Sequence, residues 1–214
     1  MKESIEARII AITQTGTIIS KQKKYNFVAV KLVEKKQLES CSQDWKQLKA
    51  KVDFLSKQLP THPNLLPILG TEETEAFLCL ELPLMDCDLF SWLQLKKRKE
   101  ETKVEICRQL LEAVEALHET SIVHHDLKLE NILISERIEE GNEKISVRVN
   151  DFFLSEKYEV LENKIFREGN LKGSHGYLLP QMLNKEAFSP YQVDIWSFAV
   201  VCFILLEERH PFLQ

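Results

Sequence analysis

The 214-residue sequence has no excess of positive charge. Its 28 lysines and arginines are outnumbered by 33 aspartates and glutamates, which gives a net charge of −5. A nucleic-acid-binding surface neutralises phosphates with grouped lysine and arginine side chains. The one basic run, at 96–99, is followed directly by two glutamates, and we interpret it as a solvated loop. The sequence therefore predicts that nucleic acid is not a partner.

Long apolar runs and paired cysteines are also missing. The longest apolar run, at 198–206, has nine residues and is too short to cross a bilayer. The N-terminal residues mix both signs of charge, unlike a signal peptide. The five cysteines form no C-x-x-C pair and have no histidine at zinc-ligand spacing. We therefore expect no membrane partner, reduced thiols and a cytoplasmic or nuclear location.

Residues 122–135 contain the side chains that a phosphoryl-transfer loop needs, in the order I-V-H-H-D-L-K-L-E-N-I-L-I-S. The carboxylate of Asp126 can orient a substrate hydroxyl, and Lys128 supplies a cation for the phosphate that moves. The side-chain oxygen of Asn131 can hold a metal ion. The apolar residues after Asn131 predict a strand that fixes the end of the loop.

This stretch resembles the H-R-D-L-x-x-x-N catalytic loop of protein kinases, with His125 in place of the arginine. Lys128, two residues after the aspartate, follows the serine/threonine pattern, and the likeness is closest to the Pim and calmodulin-kinase groups. Further family signatures follow in order over residues 9–212. The resemblance implies an α+β, bilobal fold with an N-lobe at 1–82 and a mainly helical C-lobe at 83–214, truncated after helix F.

The predicted N-lobe consists of a five-stranded antiparallel sheet and helix C. Apolar residues at helical spacing predict that helix at 43–59, and Pro60 ends it. Short β-branched and aromatic segments between turn residues predict the strands. These strands are expected at 9–12, 17–19, 27–33, 65–69 and 77–82.

The resemblance implies ATP and Mg²⁺ as cofactors. Lys31 occupies the lysine position of the V-A-I-K motif and would pair with the α- and β-phosphates. Ala29 would touch the adenine, and Glu81 would offer it a backbone carbonyl. Leu133 belongs to the same cofactor-binding set.

The metal would be held by Asn131 together with Asp151. Asp151 opens an N-D-F-F stretch that matches the D-F-G position of the family. Phe153 replaces the glycine of that motif, so we expect it to restrict the backbone switch that glycine permits.

Several residues that support catalysis in the family are altered. Gly16 is the only glycine among the first 69 residues, so the phosphate-covering loop lacks its G-x-G-x-x-G pattern. Lys51 stands where helix C normally carries a glutamate, with Asp53 as the alternative acid. Pro83 removes a backbone amide that donates to adenine. Gln181 replaces the glutamate that ends the A-P-E motif.

In the C-lobe, an amphipathic helix is expected over 102–120, with an apolar stripe of Val104, Cys107, Leu111, Val114 and Leu117. A second helix is expected to begin after Ser189, with Gln192 reaching back to form a capping box. Asp194 on this second helix would buttress the catalytic loop, by the same resemblance.

Two functions remain open from the sequence. One is a weak or unconventional serine/threonine kinase that transfers the γ-phosphate of ATP to proteins, with no phosphate switch at Ser155 or Ser174 because the loop arginine is missing. The other is a pseudokinase that acts as a binding partner or decoy of a kinase or its substrate. The expected partners are ATP, a protein substrate or partner kinase, and a second copy of the chain bound through the flank of helix F.

Overall fold

The computed structural model describes residues 8–14, 27–35, 45–95, 98–139, 142–158 and 172–213. These residues form two compact units. The first unit contains the described residues up to Gln58 and the segment Leu66–Met85, and the second contains Leu59–Leu65 and the described residues from Asp86 onward. The lobes expected at 1–82 and 83–214 stay a prediction.

The first unit is built on an antiparallel sheet with the strand order β1-β2-β4-β3. In its central pair, Lys31 of β2 lies opposite Leu80 of β4. The strands are β1 (Arg8–Gln14), β2 (Phe27–Glu34), β3 (Gly70–Glu73) and β4 (Phe77–Pro83). Three of the predicted strands, at 9–12, 27–33 and 77–82, are thereby confirmed.

The strand predicted at 65–69 is wrong. Leu65 forms only a single bridge, to Val149, and the strand of this region begins at Gly70. Pro67 explains the difference, because proline has no N–H to donate to a ladder. The apolar residues of this segment indicate burial and not strand pairing, since Leu65 and Leu66 are both buried. The described residues give this sheet four strands, and the predicted strand at 17–19 lies outside them.

One helix, α1 (Trp45–Gln58), accompanies the sheet and confirms the helix expected at 43–59 over the described residues. Leu48, Val52 and Leu55 form its buried stripe at steps of four and three residues. It ends just before Pro60, whose ring disfavours helical backbone in the preceding residue.

The second unit has four helices and two small sheets among its described residues. The sheets have the strand orders β5-β7-β8 and β6-β9. The helices are α2 (Leu89–Leu95), α3 (Glu100–Glu119), α4 (Pro180–Asn184) and α5 (Pro190–Glu207). The strands are β5 (Cys87–Asp88), β6 (Ile122–Val123), β7 (Ile132–Glu139), β8 (Asn142–Val149) and β9 (Glu156–Lys157).

Helix α3 forms where it was predicted, and Val114 and Leu117 of its predicted apolar stripe are buried, but the other end of the stripe is not. Val104 is 55% exposed and Leu111 is 47% exposed. The buried positions are instead spaced four, three and four residues apart, which follows the 3.6-residue period equally well. These positions are Ile106, Leu110, Ala113 and Leu117.

Helix α5 begins as its sequence predicts. The side chain of Gln192 accepts the backbone N–H of Ser189 at 2.8 Å, which is one half of a capping box. By length and composition, α5 is the one described helix that could cross a membrane. Its buried Asp194 and Ser197 are both hydrogen-bonded within the second unit, as in the core helix of a globular unit. The absence of a membrane partner stays a prediction.

Candidate active site

The buried carboxylate of Asp194 organises the loop that follows β6. It accepts the backbone N–H of His124 at 2.8 Å and that of His125 at 2.9 Å. The ring of His118, from α3, contacts the same carboxylate at 3.0 Å. Asp194 therefore buttresses the loop as predicted.

The charge of Asp194 is compatible with its complete burial. Burial alone would raise the pKa of this carboxyl, but the hydrogen bonds from His118, His124 and His125 outweigh it and hold the pKa below its usual value. The group is thus an anion that several donors stabilise.

His124 links the loop to the end of β8. Its Nε2 lies 2.9 Å from the carbonyl of Asn150, and its Nδ1 accepts the backbone N–H of Asp126 at 3.2 Å. Its ring also makes an edge contact with Phe152, with the centroids 5.1 Å apart. The backbone of the loop is therefore fixed on both sides of His125.

The predicted catalytic residues Asp126 and Lys128 lie together, and Ser174 joins them. Lys128 Nζ lies 3.4 Å from Asp126 Oδ2 and donates to Ser174 Oγ at 2.8 Å. The Ser174 hydroxyl in turn donates to Asp126 Oδ1 at 2.8 Å. The Asp126 side chain remains 13% exposed, so an external hydroxyl can still reach it. This arrangement can hold a hydroxyl beside a carboxylate and a cation.

The two predicted metal ligands are brought together by one backbone hydrogen bond. The N–H of Asn150 donates to the carbonyl of Asn131 at 2.8 Å, and Asp151 follows directly, in a left-handed conformation with φ 65°. The side-chain amide of Asn131 donates to the Asp126 carbonyl at 2.8 Å and to Asp126 Oδ2 at 3.0 Å. Its own Oδ1 is then the atom suited to a metal. An amide oxygen and a carboxylate are hard donors, which fits Mg²⁺.

His125 takes part in a polar network where the family resemblance expects an arginine. Its Nε2 lies 2.8 Å from the hydroxyl of Tyr158, which donates to Glu156 Oε2 at 2.8 Å. Lys172 donates to the other oxygen of Glu156. Burial lowers the pKa of His125 to about 4, against the opposing charges of Asp194 and Glu156. The side chain is therefore neutral at physiological pH and cannot capture a phosphate as an arginine does.

Neither serine considered as a phosphate switch lies in a setting typical of one. Ser155 is 2% exposed, and its hydroxyl donates to the carbonyl of His124 at 3.3 Å. Ser174 is hydrogen-bonded to Asp126 and Lys128. Both hydroxyls are therefore already engaged in hydrogen bonds to residues of the loop.

The cofactor-binding residues predicted in the first unit lie in its sheet. Ala29 and Lys31 share one face of β2 and are each 6% exposed. The carbonyl of Glu81 accepts the N–H of Leu69 at 2.8 Å, so a ligand would use the second lone pair of that oxygen. Leu133, in the second unit, is half-buried in β7 opposite Arg148.

The burial of residues on α1 distinguishes the two positions considered for the acid of helix C, Lys51 and Asp53. Asp53 is exposed, on the side of the helix away from its buried residues. Lys51 is half-buried, three residues after Leu48 and four before Leu55. Because residues three and four apart share a helix face, Lys51 and not Asp53 lies at the edge of the buried stripe.

Sequence reasoning missed three contributors to this site. Ser174 bonds to residues more than forty positions earlier, and Tyr158 contacts a histidine 33 positions earlier. His118 contacts Asp194 across two helices. No local pattern encodes such contacts.

Comparison with known proteins identifies relatives over most of the chain. The family model for the protein kinase domain matches residues 14–214. The phosphorylase b kinase gamma catalytic chain, liver/testis isoform, of Mus musculus is 36% identical over 163 residues, covering 73% of this chain and 37% of that protein. The CBL-interacting serine/threonine-protein kinase 5 of Arabidopsis thaliana is 30% identical over 190 residues, covering 86% and 40%.

A third relative, the sucrose non-fermenting protein kinase 1 of Fusarium virguliforme, is also 30% identical over 190 residues, covering 86% of this chain and 25% of that protein. The chain therefore spans between a quarter and two fifths of the length of these curated relatives.

Proposed function

Because the chain belongs to the protein kinase family, with relatives of the serine/threonine type, we propose that it binds Mg²⁺ and ATP and slowly phosphorylates proteins. The acceptor would be a serine or threonine hydroxyl. Lys31, Ala29 and Glu81 of the first unit and Leu133 of the second are the residues assigned to ATP. Asn131 and Asp151 are assigned to Mg²⁺, which when bound would neutralise charge on the phosphates.

The observation that carries this proposal is the hydrogen-bonded group of Asp126, Lys128 and Ser174. Asp126 is held from both sides, by Ser174 on Oδ1 and by Asn131 on Oδ2. A carboxylate oxygen has lone pairs beyond those two bonds, so a substrate hydroxyl can donate to the same group. A fixed carboxylate with a cation beside it is what phosphoryl transfer requires of the protein.

In the proposed reaction, the substrate hydroxyl oxygen forms a bond to the γ-phosphorus of ATP while the bond from that phosphorus to the bridging oxygen breaks. Asp126 orients the hydroxyl and accepts its proton. Lys128 lies beside Asp126 and offsets the negative charge of the transferred group. ADP is the leaving group.

A low rate is expected because groups that position ATP are altered. The only acidic residue of α1 is exposed, and Lys51 lies near its buried face. Positioning and preorganised charge supply most of the rate in this chemistry, so their loss slows turnover even when the groups that contact phosphate remain.

The proposal is tested by transfer of labelled γ-phosphate from Mg·ATP to a pool of serine- and threonine-containing peptides. Asp126→Asn keeps the shape of the side chain and removes the base, so we expect transfer to fall by about 100-fold or more. Asp86→Asn is the matched control, because Asp86 lies exposed in the same unit, where its side chain accepts the backbone N–H of Glu136. Equal rates for the wild type, Asp126→Asn and Asp86→Asn would contradict the proposal.

The second candidate function is a pseudokinase that binds nucleotide and acts through a protein partner. The observation that favours it is Lys51, a base at the position where the family carries the acid that pairs with its strand lysine. Thermal unfolding with ATP, with and without Mg²⁺, separates binding from turnover. A Mg²⁺-dependent shift that Asp151→Asn abolishes, without any phosphate transfer, would favour the pseudokinase.

A further inference from the structure

Strand β8 lies at the edge of its sheet, yet the backbone groups on its outer side are hydrogen-bonded. Among the described residues, only β7 pairs with it in that sheet, and Leu65 adds a single bridge at Val149. Alternate residues of a strand direct their N–H and C=O groups to opposite sides. Those of Ile145, Val147 and Val149 are directed outward. An outer edge is normally left to water or to another strand, but here α3 and the segment after α1 supply its partners.

The side-chain amide of Gln109, on α3, bonds to this edge as a backbone amide would. Its Oε1 accepts the N–H of Val147 at 2.9 Å, and its Nε2 donates to the carbonyl of Ile145 at 3.0 Å. The residue is only 8% exposed. One side chain thus supplies both the acceptor and the donor that a neighbouring strand would offer.

Asn64, in the segment that follows α1, continues the pairing along the same edge. Its Nδ2 donates to the carbonyl of Val147 at 2.9 Å and to Gln109 Oε1 at 3.0 Å. Its own carbonyl accepts the N–H of Val149 at 2.8 Å. Asn64 is buried as well, so the loss of either amide would leave buried backbone groups without a partner.

This edge leads directly to Asp151, which is assigned to Mg²⁺. At the end of β8, the N–H of Asn150 donates to the carbonyl of Asn131, and the carbonyl of Asn150 lies 2.9 Å from His124 Nε2. The backbone is therefore held on the approach to Asp151. A metal ligand needs such support, because its place must be fixed to within about 0.5 Å.

We propose that Asn64 and Gln109 are positioning residues for Mg²⁺ binding, because they hold the outer edge of β8 and so set the place of Asp151. The inference rests on the proposed function, in which Asp151 and Asn131 hold Mg²⁺ against the phosphates of ATP. Neither amide is assigned to the metal or the nucleotide, and both act through the backbone of the strand. Their loss should weaken the binding of Mg·ATP and leave the binding of metal-free ATP unchanged.

Amide hydrogen exchange, followed residue by residue by NMR, tests the first step without nucleotide or metal. Gln109→Met keeps the length of the side chain and removes both of its hydrogen-bonding groups. We expect the N–H of Val147 to exchange about tenfold faster, while those of Ser146 and Arg148, on the side of β7, keep their rates. Equal acceleration at all three positions would show a general loss of stability and would overturn the proposal.

Calorimetric titration of ATP, once with excess Mg²⁺ and once with a chelator, tests the second step. We expect Gln109→Met to bind Mg·ATP about tenfold more weakly than wild type, the usual cost of losing a group that supports a metal ligand. Binding of metal-free ATP should be the same in both proteins.

Asn64→Ala makes the same test with a milder change, and decides the question if Gln109→Met does not fold. It frees the carbonyl of Val147 and keeps the backbone bond from Val149, since that bond uses the carbonyl of residue 64. We expect it too to weaken the binding of Mg·ATP and to spare metal-free ATP.

Two further variants on α3 are the matched controls. Glu105→Ala removes the carboxylate that accepts a hydrogen bond from Gln109 Nε2 away from β8. Val114→Ala leaves a cavity at a buried position and lowers stability without removing a hydrogen bond from β8. Neither should change the ratio between the affinities for Mg·ATP and metal-free ATP.

The titrations separate a failure of this inference from a failure of the proposed function. If wild type bound ATP equally with and without Mg²⁺, the proposed metal site would be absent, and the inference would fall with it. If wild type showed the Mg²⁺ dependence and Gln109→Met and Asn64→Ala both retained it in full, only the positioning role would be overturned. An equal loss in Val114→Ala would assign the effect to stability and would also overturn that role.

Discussion

The two units of this member of the protein kinase family differ in how far each retains the groups that the family uses to position phosphoryl transfer. In the second unit, Asp126 is tied to Lys128, Asn131 and Ser174, and the buried Asp194 holds the backbone of the same loop. In the first unit, Lys31 is buried in β2, but α1 has no acidic residue near its buried face.

Under the proposed function, the second unit holds the groups that would act on the substrate hydroxyl, and the first holds most of the residues assigned to ATP. Among the described residues, the hydrogen bonds that hold the Asp126 loop join residues of the second unit. In the family the strand lysine pairs with an acid of helix C, and Lys51 occupies that position here. We therefore expect variants in the second unit to lower the free energy of unfolding, and a variant on α1 of the first unit to change the rate of phosphate transfer.

Asp194→Ala is expected to have the largest effect, because it removes the support of the loop in the second unit. The change leaves the buried N–H groups of His124 and His125 without their acceptor. We expect a loss of about 3 to 5 kcal/mol in the free energy of unfolding, measured by urea denaturation. Glu115→Ala, at an exposed position on α3, is the control and should change stability by less than about 0.5 kcal/mol. A small effect of Asp194→Ala would mean that the loop does not depend on this carboxylate.

The pH dependence of stability is expected to report the burial of His125. Its folded pKa of about 4 lies below the unfolded value of 6.5, so the unfolded chain takes up the proton first. Its contribution to stability is complete above pH 6.5 and is lost as the pH falls toward 4. The loss can reach about 3 kcal/mol, given roughly 1.4 kcal/mol for each unit of pKa.

Urea denaturation between pH 7 and pH 4.5 measures this loss. The pKa values of Asp194 and Glu156 are lowered, so their contributions disappear at more acidic pH and barely affect this range. His125→Gln should flatten the pH profile, whereas His175→Gln, at an exposed position, should leave it unchanged. Parallel profiles for all three proteins would contradict the burial of a neutral His125.

Much of the second unit could be predicted from sequence, because the residues that interact there lie close together along the chain. Asp126, Lys128 and Asn131 lie within one short loop, so their spacing predicts that they come together, and Ser189 and Gln192 lie within one helical turn. The prediction at 65–69 was wrong because apolar residues indicate burial, while pairing depends on backbone N–H groups that Pro67 lacks.

The network of His125 could not be predicted, because its partners are distant in sequence. Tyr158 is brought to the loop by the pairing of β6 with β9, in which Val123 lies opposite Glu156. Neither strand has more than two residues, which is too short to give an alternation pattern. A resemblance to the family indicated that the arginine was missing, but not what replaces it.

Tyr158→Phe is expected to have a moderate effect, because it keeps the ring and removes the hydroxyl that joins His125 to Glu156. We expect a loss of about 1 to 2 kcal/mol in the free energy of unfolding, since the buried imidazole loses its partner. Phosphate transfer from Mg·ATP should fall as well, because His125 precedes Asp126. Tyr191→Phe, on α5, is the matched control. If Tyr158→Phe were as stable and as active as wild type, the network would have no part in holding the loop.

Lys51→Glu has the smallest expected effect. It tests the first unit, because we expect this variant to increase phosphate transfer. A carboxylate at this position of α1 would restore the acid that pairs with the strand lysine in the family, and Lys31 of β2 is the residue proposed for that role. We expect phosphate transfer to rise severalfold, up to about tenfold, which corresponds to roughly 1.4 kcal/mol of barrier. Lys57→Glu makes the same charge change at an exposed position on the same helix and should not alter the rate. If both variants raised transfer equally, the gain would come from net charge. If Lys51→Glu left transfer at zero while Mg²⁺-dependent ATP binding persisted, alignment of Lys31 would not be what limits this chain, and the pseudokinase function would be favoured.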